Sequence, residues 1–291
     1  MLRRHAITAL LAGARPIFSQ APAPQNLDGL VSDPHAAALL VDVRSRRLIA
    51  VHGAPLAAGA LLPPGSTMKP FALAALLEAG KLRPEDTFNC PGELMVGDRP
   101  VVCSHPPLGQ PLRVRTALAY SCNCFVANVA GRFEPGELAM ALARTGMGSR
   151  TGWFGNTEAS GQVPPAEGKV LSQLQAIGEA GVLITPAELA LAYRRLALTS
   201  GRGGVQAILA GLEDAVEFGT AQRAKVAGVT VAGKTGSIHT ADGAAIAWFA
   251  GFAPSRSPAV AVTVMLQGRS GGAAAAPIAA RILEAHLKGR L

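Results

Sequence analysis

The sequence predicts an α/β (α+β) fold in which an antiparallel five-stranded sheet is flanked by helices and carries one large all-helical lobe. Three observations indicate this fold. Short apolar, β-branched runs lie near both ends of the chain, a long stretch of helical pattern separates them, and another helical pattern closes the chain. Strands from both ends that enclose a helical insertion can pair into one sheet. A chain of 291 residues can also bury a substantial core.

The predicted strands are short apolar runs bounded by turn-forming residues. A turn containing Ser45 joins the first two strands, and a helical stretch interrupted by Gly and Pro loops follows from residue 70 to about 221. In the final predicted helix, 277–288, Ile278, Ile282 and Leu283 share one face. The five predicted strands are 36–43, 47–52, 229–232, 246–252 and 259–266.

The first 26 residues have the pattern of an export signal followed by a short linker. Arg3-Arg4 precedes the small, apolar run 6–14, which is far shorter than the roughly 18 residues that span a bilayer. We therefore expect a mature chain, 27–291, that is extracytoplasmic, either periplasmic or secreted, and has no integral membrane segment. The arginine pair leaves both the twin-arginine and the general export route open. Two small-residue cleavage sites are Ala12-Gly13-Ala14 and Ser19-Gln20-Ala21.

A serine and a lysine three residues apart, in Ser66-Thr67-Met68-Lys69, form the first candidate catalytic motif. The preceding Pro63-Pro64-Gly65 predicts a loop and 71–78 predicts a helix, so Ser66 is expected at a helix start. Backbone amides there lack intrahelical partners, and the helix dipole favours developing negative charge. The spacing puts Lys69 on the same face, within reach of the hydroxyl.

Two further polar motifs follow. Ser121-Cys122-Asn123 lies between the predicted helices 115–120 and 125–132, where a hydroxyl can relay a proton and an amide can orient a lysine or a carbonyl. Lys234-Thr235-Gly236-Ser237 follows the predicted strand 229–232. Its small residues let a ligand lie against the strand edge, and its lysine supplies positive charge.

Together these motifs resemble the S-x-x-K, S-D-N and K-T-G set of penicillin-binding proteins and class A β-lactamases. Segments 64–71, 217–222 and 247–254 are also similar to a penicillin-binding transpeptidase domain, and the resemblance extends over about 36–288. It implies the serine β-lactamase/transpeptidase-like fold. It also divides the domain into a sheet lobe, about 27–65 and 222–291, and a helical lobe, about 66–221.

The same resemblance implies roles for individual residues. Ser66 would be the nucleophile, Lys69 the base, Ser121 the proton relay and Asn123 the group that holds the lysine. The amides of Ser66 and Ser237 would form the oxyanion hole. The implied substrate-binding residues are Lys234, Thr235, Gly236 and Ser237.

The resemblance implies a D,D-transpeptidase or D,D-carboxypeptidase with peptidoglycan stem peptides and β-lactam antibiotics as its partners. Two alternatives stay open: a class D-like β-lactamase or β-lactam sensor domain, and a catalytically silent peptidoglycan-binding module. The chain departs from the family at Ile177-Gly178-Glu179-Ala180, where penicillin-binding proteins usually have Gly-Gln-Gly. That difference is expected to alter a loop beside the cleft.

Composition and local patterns argue against other classes. The formal net charge of +8 includes three arginines of the first 15 residues, so it is too weak to predict nucleic-acid binding. Residues 228–235 match the phosphate-loop pattern, but their variable positions are strand-like and no helix is predicted to follow. We expect no cofactor. Cys90, Cys103, Cys122 and Cys124 could form a zinc set, but Cys122 and Cys124 are too close together and lie on the second motif, so we expect no metal. A disulfide between Cys90 and Cys103 is left open.

Overall fold

The computed structural model describes residues 22–199, 205–239, 243, 245–268 and 271–291. The predicted export signal therefore lies outside the described residues, apart from its linker. The described strands are β1 Gln25–Asn26, β2 Ala36–Asp42, β3 Leu48–His52, β4 Glu93–Val96, β5 Arg99–Val102, β6 Ala232–His239, β7 Ala245–Ala253 and β8 Val260–Gln267. The described helices are α1 Ala54–Gly59, α2 Lys69–Glu78, α3 Val114–Ala119, α4 Asn123–Ala130, α5 Glu137–Thr145, α6 Lys169–Ile177, α7 Pro186–Thr199, α8 Gln206–Glu217 and α9 Gly271–Leu287.

The main sheet has the strand order β1-β3-β2-β8-β7-β6. This confirms the predicted fold class of a sheet flanked by helices, but the number of strands differs. The sixth strand is β1, which pairs in parallel with β3 through Gln25 opposite Ala50. Its two polar, exposed residues carry no alternating apolar pattern, so the sequence assigned them to a linker. The other strand pairs are antiparallel.

Strand β6 contains the third motif, which the sequence had placed after a strand at 229–232. Glycines at 233 and 236 lower its strand propensity. Pairing with β7 overrides that preference, with Lys234 opposite Ala250 and Ser237 opposite Ala247. Because β6 continues to His239, the segment has no helix after its glycines and is not a phosphate loop. β6 ends the order of the described strands, and it packs against the 3-10 turn Gly65–Met68 that precedes α2.

Helices cover both faces of the central strands, which explains why β2, β7 and β8 are apolar at nearly every position. Leu39 and Trp248 belong to the core shared with α2, α4 and α7. Leu40 and Phe249 belong to the opposite core, which α9 closes. Helix α9 begins at Gly271, earlier than the predicted 277, because its small apolar first turns continue through Pro277.

The predicted all-helical lobe is interrupted by a hairpin. Strands β4 and β5 pair antiparallel, and Gly97 supplies the left-handed turn between them with φ of 63°. Cys90 and Cys103 flank this hairpin. In the structure they form no disulfide bond, and their sulfurs are 3.6 Å apart. In the part of the chain that the structure describes, no helix combines the length and the hydropathy needed to cross a bilayer.

Candidate active site

Ser66 lies in a 3-10 turn, Gly65–Met68, that leads directly into α2. The backbone N–H of Lys69 donates to the Ser66 carbonyl, so the turn and the helix form one continuous spiral. Ser66 is half-buried and lines a cleft, whereas Lys69 is fully buried. The structure thus places Ser66 at the start of a helix and Lys69 one turn later, as the spacing predicts.

Buried hydrogen bonds hold this turn from several sides. Thr67 Oγ1 donates to the Pro64 carbonyl at 2.6 Å, and the Tyr193 hydroxyl donates to the Thr67 carbonyl at 3.0 Å. Trp248 Nε1 on β7 donates to the Pro63 carbonyl, also at 3.0 Å. Burial raises the pKa of Tyr193 well above its ordinary value, so its hydroxyl stays a donor. The nucleophile segment is therefore anchored to both the helical and the sheet side.

Lys69 is held by the second motif. Its Nζ donates to the Ser121 carbonyl at 2.6 Å, to Ser121 Oγ at 3.1 Å and to Asn123 Oδ1. Burial lowers the pKa of Lys69 from 10.5 to about 8, although the charges of Cys122 and other nearby groups oppose the shift. An amine with this pKa is partly neutral near physiological pH and can accept a proton.

The second motif lies between α3 and α4, where the backbone takes an unusual conformation. Ser121 has a φ of 57°, in the left-handed region that non-glycine residues rarely adopt. This conformation accompanies the contact of both its carbonyl and its hydroxyl with Lys69. Asn123 begins α4 and donates from Nδ2 to the Val102 carbonyl at 2.7 Å. That bond orients the amide with its oxygen toward the lysine.

The third motif places a second lysine inside the protein. Lys234 is fully buried, and its Nζ donates to the Thr235 carbonyl at 3.1 Å and to Thr220 Oγ1 at 3.4 Å. Thr235 Oγ1 donates to the same Thr220 hydroxyl at 3.0 Å. Burial, with a further contribution from the charge of Lys69, lowers the pKa of Lys234 well below its ordinary value. An anion that enters here would favour the charged amine.

A cleft of about 440 Å³ joins the three motifs. Its lining includes Ser66, Ser121, Asn123, Thr235 and Ser237, so five of the eight predicted site residues face one space. The buried Lys69 and Lys234 reach the cleft through their hydrogen-bond partners rather than as lining residues. This arrangement suits a serine nucleophile with a buried base and a nearby anion-binding end.

Gly236 makes a close contact within the protein, and the predicted approach of a ligand stays a prediction. A Cβ at this position would lie 3.0 Å from the Pro64 carbonyl and 3.2 Å from Thr67 Cγ2. The missing side chain therefore lets β6 pack against the nucleophile turn. The sequence had explained this glycine by the approach of a ligand.

Several further residues line the cleft that were not predicted as site residues. They include Ser104, Glu179, Thr220 and Gly272. Thr220 lies in the segment 217–222, whose family resemblance was visible, but its contact with Lys234 depends on the fold. Glu179 belongs to the loop that departs from the family pattern. Its carboxylate accepts a hydrogen bond from Arg99 at 2.8 Å, which ties this loop to β5.

The same loop supports the nucleophile turn. The Gly65 N–H donates to the Gly178 carbonyl at 3.1 Å. Gly178 has a φ of 78°, and a Cβ there would lie 2.1 Å from the Gly65 carbonyl oxygen. Only a residue without a side chain fits this close approach.

Gly178→Ala is expected to lower the free energy of unfolding by more than about 3 kcal/mol, because it adds a backbone clash to left-handed strain. Gly80→Ala is the matched control, since Gly80 also has a positive φ of 66° but no atom lies within 4 Å of a Cβ there. Strain alone should cost that variant about 1–2 kcal/mol. Urea unfolding of both variants measures the difference, and equal losses would contradict a role for the clash.

The chain is similar to known proteins over most of its length. The chain matches the family described as Penicillin binding protein transpeptidase domain over residues 36–200 and 202–284. It is 27% identical over 275 residues to the Peptidoglycan D,D-transpeptidase PbpA of Mycobacterium tuberculosis, covering 78% of this chain and 55% of that protein. It is 27% identical over 263 residues to the Probable peptidoglycan D,D-transpeptidase PenA of Neisseria flavescens, covering 78% and 64%. The chain thus spans between half and two thirds of the length of these relatives.

Solved structures show the same fold. Pseudomonas aeruginosa PBP2, solved in complex with WCK 5153, superposes with a TM-score of 0.80 at 19% identity, covering 89% of this chain and 72% of that one. The transpeptidase (TP) domain of Burkholderia pseudomallei penicillin-binding protein 3 gives 0.80 at 21% identity, covering 90% and 91%. The family match extends over all three motifs and most of the sheet, and the chain belongs to the penicillin-binding protein transpeptidase domain family.

Proposed function

We propose that this protein is a penicillin-binding serine D,D-transpeptidase or D,D-carboxypeptidase that acts on D-Ala-D-Ala stem peptides through an acyl-enzyme at Ser66. The observation that carries the proposal is the burial of Lys69 one turn after Ser66, with its Nζ held by Ser121 and Asn123. A lysine so placed can activate a serine hydroxyl without a histidine.

The reaction follows from the positions of these groups. Ser66 Oγ attacks the carbonyl of the penultimate D-Ala while neutral Lys69 accepts the hydroxyl proton. Ser121, whose Oγ is 3.1 Å from Lys69 Nζ, passes a proton to the leaving amine. The peptide bond breaks and terminal D-Ala leaves. The amine of a second peptide then resolves the acyl-enzyme in cross-linking, or water does so in trimming.

The position of β6 at the end of the strand order suits the binding of an extended peptide, because a peptide can add a strand to the edge of a sheet. Thr235 and Ser237 lie on this strand and line the cleft. Their hydroxyls would bind the terminal carboxylate of the peptide, and the charge of Lys234 would balance it. In this proposal, the amides of Ser66 and Ser237 stabilise the tetrahedral oxyanion.

The lifetime of the acyl-enzyme separates a transpeptidase from a β-lactamase, since fast hydrolysis needs a base for water. Class A β-lactamases use a glutamate for this step, but the chain has no E-x-x-L-N segment. Class D enzymes use a carboxylated lysine in an apolar pocket, whereas here the polar amide oxygen of Asn123 accepts a hydrogen bond from Lys69 Nζ. Both features favour a long-lived adduct.

We expect purified protein to form a penicilloyl adduct that lasts minutes or longer and to release D-Ala from a D-Ala-D-Ala peptide. Intact mass spectrometry follows the adduct, and a D-Ala assay follows the peptide reaction. Turnover of several penicillin molecules per second, raised further by bicarbonate, would instead indicate the class D-like β-lactamase. No adduct and no D-Ala release would indicate the silent peptidoglycan-binding module. A stable adduct without D-Ala release would indicate the sensor domain.

Glu179→Gln is a matched control for the lifetime. Among the described residues that line the cleft, Glu179 is the one with a carboxylate. This carboxylate forms an ion pair with Arg99. We therefore expect the adduct of the variant to decay as slowly as that of the wild type. A markedly longer lifetime in the variant would show that Glu179 activates water.

We also propose that the protein works outside the cytoplasm, where peptidoglycan stem peptides are cross-linked. The charged and apolar pattern of residues 1–26 supports this location. Fractionation of cells that express the full chain, with N-terminal sequencing of the product, tests both the location and the cleavage. A full-length product confined to the cytoplasm would contradict it.

A further inference from the structure

Four cysteines from two chain segments, Cys90 and Cys103 on one and Cys122 and Cys124 on the other, lie together at the second motif. The sulfurs of Cys90, Cys103 and Cys122 form a nearly equilateral triangle with sides of 3.6, 3.6 and 3.5 Å. His105 Nε2 is 3.7 Å from the Cys90 sulfur. These four ligand atoms all lie within 4.8 Å of one another, although they come from two chain segments.

The three sulfur–sulfur distances, and the 3.7 Å between Cys90 Sγ and His105 Nε2, are close to those between ligands of one tetrahedral ion. A Zn–S bond of about 2.3 Å places two tetrahedral sulfur ligands about 3.8 Å apart, and a Zn–N bond of about 2.0 Å places sulfur and nitrogen about 3.5 Å apart. A disulfide instead joins two sulfurs at about 2.05 Å. The sulfur–sulfur distances, which include 3.3 Å between Cys103 and Cys124, all lie far above the length of a disulfide bond and do not select one disulfide pair. Thiolate and imidazole ligands favour zinc over magnesium or calcium.

The orientation of His105 is an independent observation that points to a ligand. Its Nδ1 lies 2.9 Å from the Pro106 carbonyl, so this nitrogen carries the proton and donates. The lone pair of Nε2 is then directed toward the cysteines. Histidines that bind metals usually donate their other ring nitrogen to a carbonyl or carboxylate in this way.

We propose that Cys90, Cys103, Cys122 and His105 bind one zinc ion, which fastens the β4–β5 hairpin to the second motif. Binding releases the thiol protons to solvent, so that three thiolates and one neutral imidazole surround Zn²⁺. Cys90, Cys103 and His105 are partly exposed, which leaves a path for the ion. This site goes beyond the acyl-transfer function, and its binding test does not depend on that function.

The fourth cysteine, Cys124, is the reason that the sequence predicts no metal site here. Cys122 and Cys124 are too close for both to be expected as ligands, but the fold separates their tasks. Cys124 is buried and its Sγ faces the Val101 carbonyl at 3.5 Å as well as the Cys103 sulfur at 3.3 Å. Its sulfur does not belong to the group of four ligand atoms from Cys90, Cys103, Cys122 and His105.

The position of Cys122 connects the metal to the catalytic groups. It lies between Ser121 and Asn123, both of which contact Lys69 Nζ. Asn123 also bonds to the carbonyl of Val102, the residue before Cys103. A zinc ion would thus fix both chain segments that meet at Asn123, and it would act on Lys69 by positioning its partners.

Zinc content and cobalt spectroscopy test the binding. Protein purified with a reductant should contain about one zinc ion per chain by elemental analysis. Cobalt added alone to the stripped protein should give the visible absorption of a tetrahedral, thiolate-ligated ion. Zinc added to unbuffered stripped protein should release protons, because the cysteines bind as thiolates. A metal-free protein that binds neither ion, or one purified with these cysteines in disulfides under the same conditions, would overturn the proposal.

Single variants test the ligand set. Cys90→Ser, Cys103→Ser and His105→Ala are expected to lose most of the bound zinc, whereas Cys124→Ser should retain it. Circular dichroism identifies any variant that fails to fold, and cobalt titration of the folded ones replaces zinc content where expression is poor. Loss of metal in Cys124→Ser with retention in His105→Ala would contradict the proposed ligand set.

Removal and restoration of the metal test the positioning role in a single sample. Stripping zinc with a chelator under reducing conditions should slow penicillin acylation at saturating penicillin at least tenfold, and zinc alone should restore it. Magnesium, a poor match for thiolates, serves as the control ion. Equal acylation rates with and without zinc would contradict the fastening of the second motif.

Discussion

Ser66→Ala is expected to abolish covalent labelling by penicillin. Ser66 is the serine that follows the turn at Gly65 and precedes a buried lysine by one helical turn. Without its hydroxyl, the cleft can still bind the antibiotic but has no nucleophile at that position. Intact mass and peptide mapping measure the adduct in the wild type, where it should map to the peptide containing Ser66.

Ser121→Ala separates the nucleophile from the proposed relay. The Ser121 hydroxyl contacts Lys69 Nζ, so its loss should slow acylation by about 10²-fold or more while leaving the adduct on Ser66. An adduct that persists in Ser66→Ala, or one that maps to Ser121 in the wild type, would contradict the assignment. Complete and equal loss in both variants would leave no evidence for separate roles.

The sequence predicted the parts of the site that depend on local spacing. Ser66 and Lys69 are three residues apart at a helix start, so the geometry of one turn brings them together. The fold class also follows from local pattern, because the buried strands are apolar throughout. The family match confirms the resemblance on which the three motifs were first grouped.

Features that depend on long-range contacts were predicted poorly. Strand β1 is two exposed residues whose pairing partner lies in β3, and no local pattern marks it. The third motif extends as a strand because β7 pairs with it, against the preference of its glycines. The thiol cluster forms where a hairpin lies against the second motif, a contact that the close spacing of Cys122 and Cys124 does not reveal. In each case tertiary contact overrides a local preference.

Lys69→Met is expected to lower the acylation rate at saturating penicillin by about 10²- to 10⁴-fold, the usual contribution of a general base. In the wild type the rate should rise as pH increases through about 8, because the amine must be neutral to accept the Ser66 proton and burial lowers its pKa to about that value. The variant should lose this rise. Stopped-flow measurements across pH and penicillin concentration give both quantities, with circular dichroism to check folding.

Lys234→Met provides the comparison, since this lysine is equally buried but donates to Thr220 Oγ1 and the Thr235 carbonyl rather than to the second motif. Its charge would pair with the carboxylate of the antibiotic, so its loss should mainly raise the penicillin concentration needed for half-maximal acylation. A change confined to affinity, beside a change in rate for Lys69→Met, separates recognition from proton transfer. Equal, small effects of both substitutions would contradict the two roles, and a retained pH dependence in Lys69→Met would place the base elsewhere.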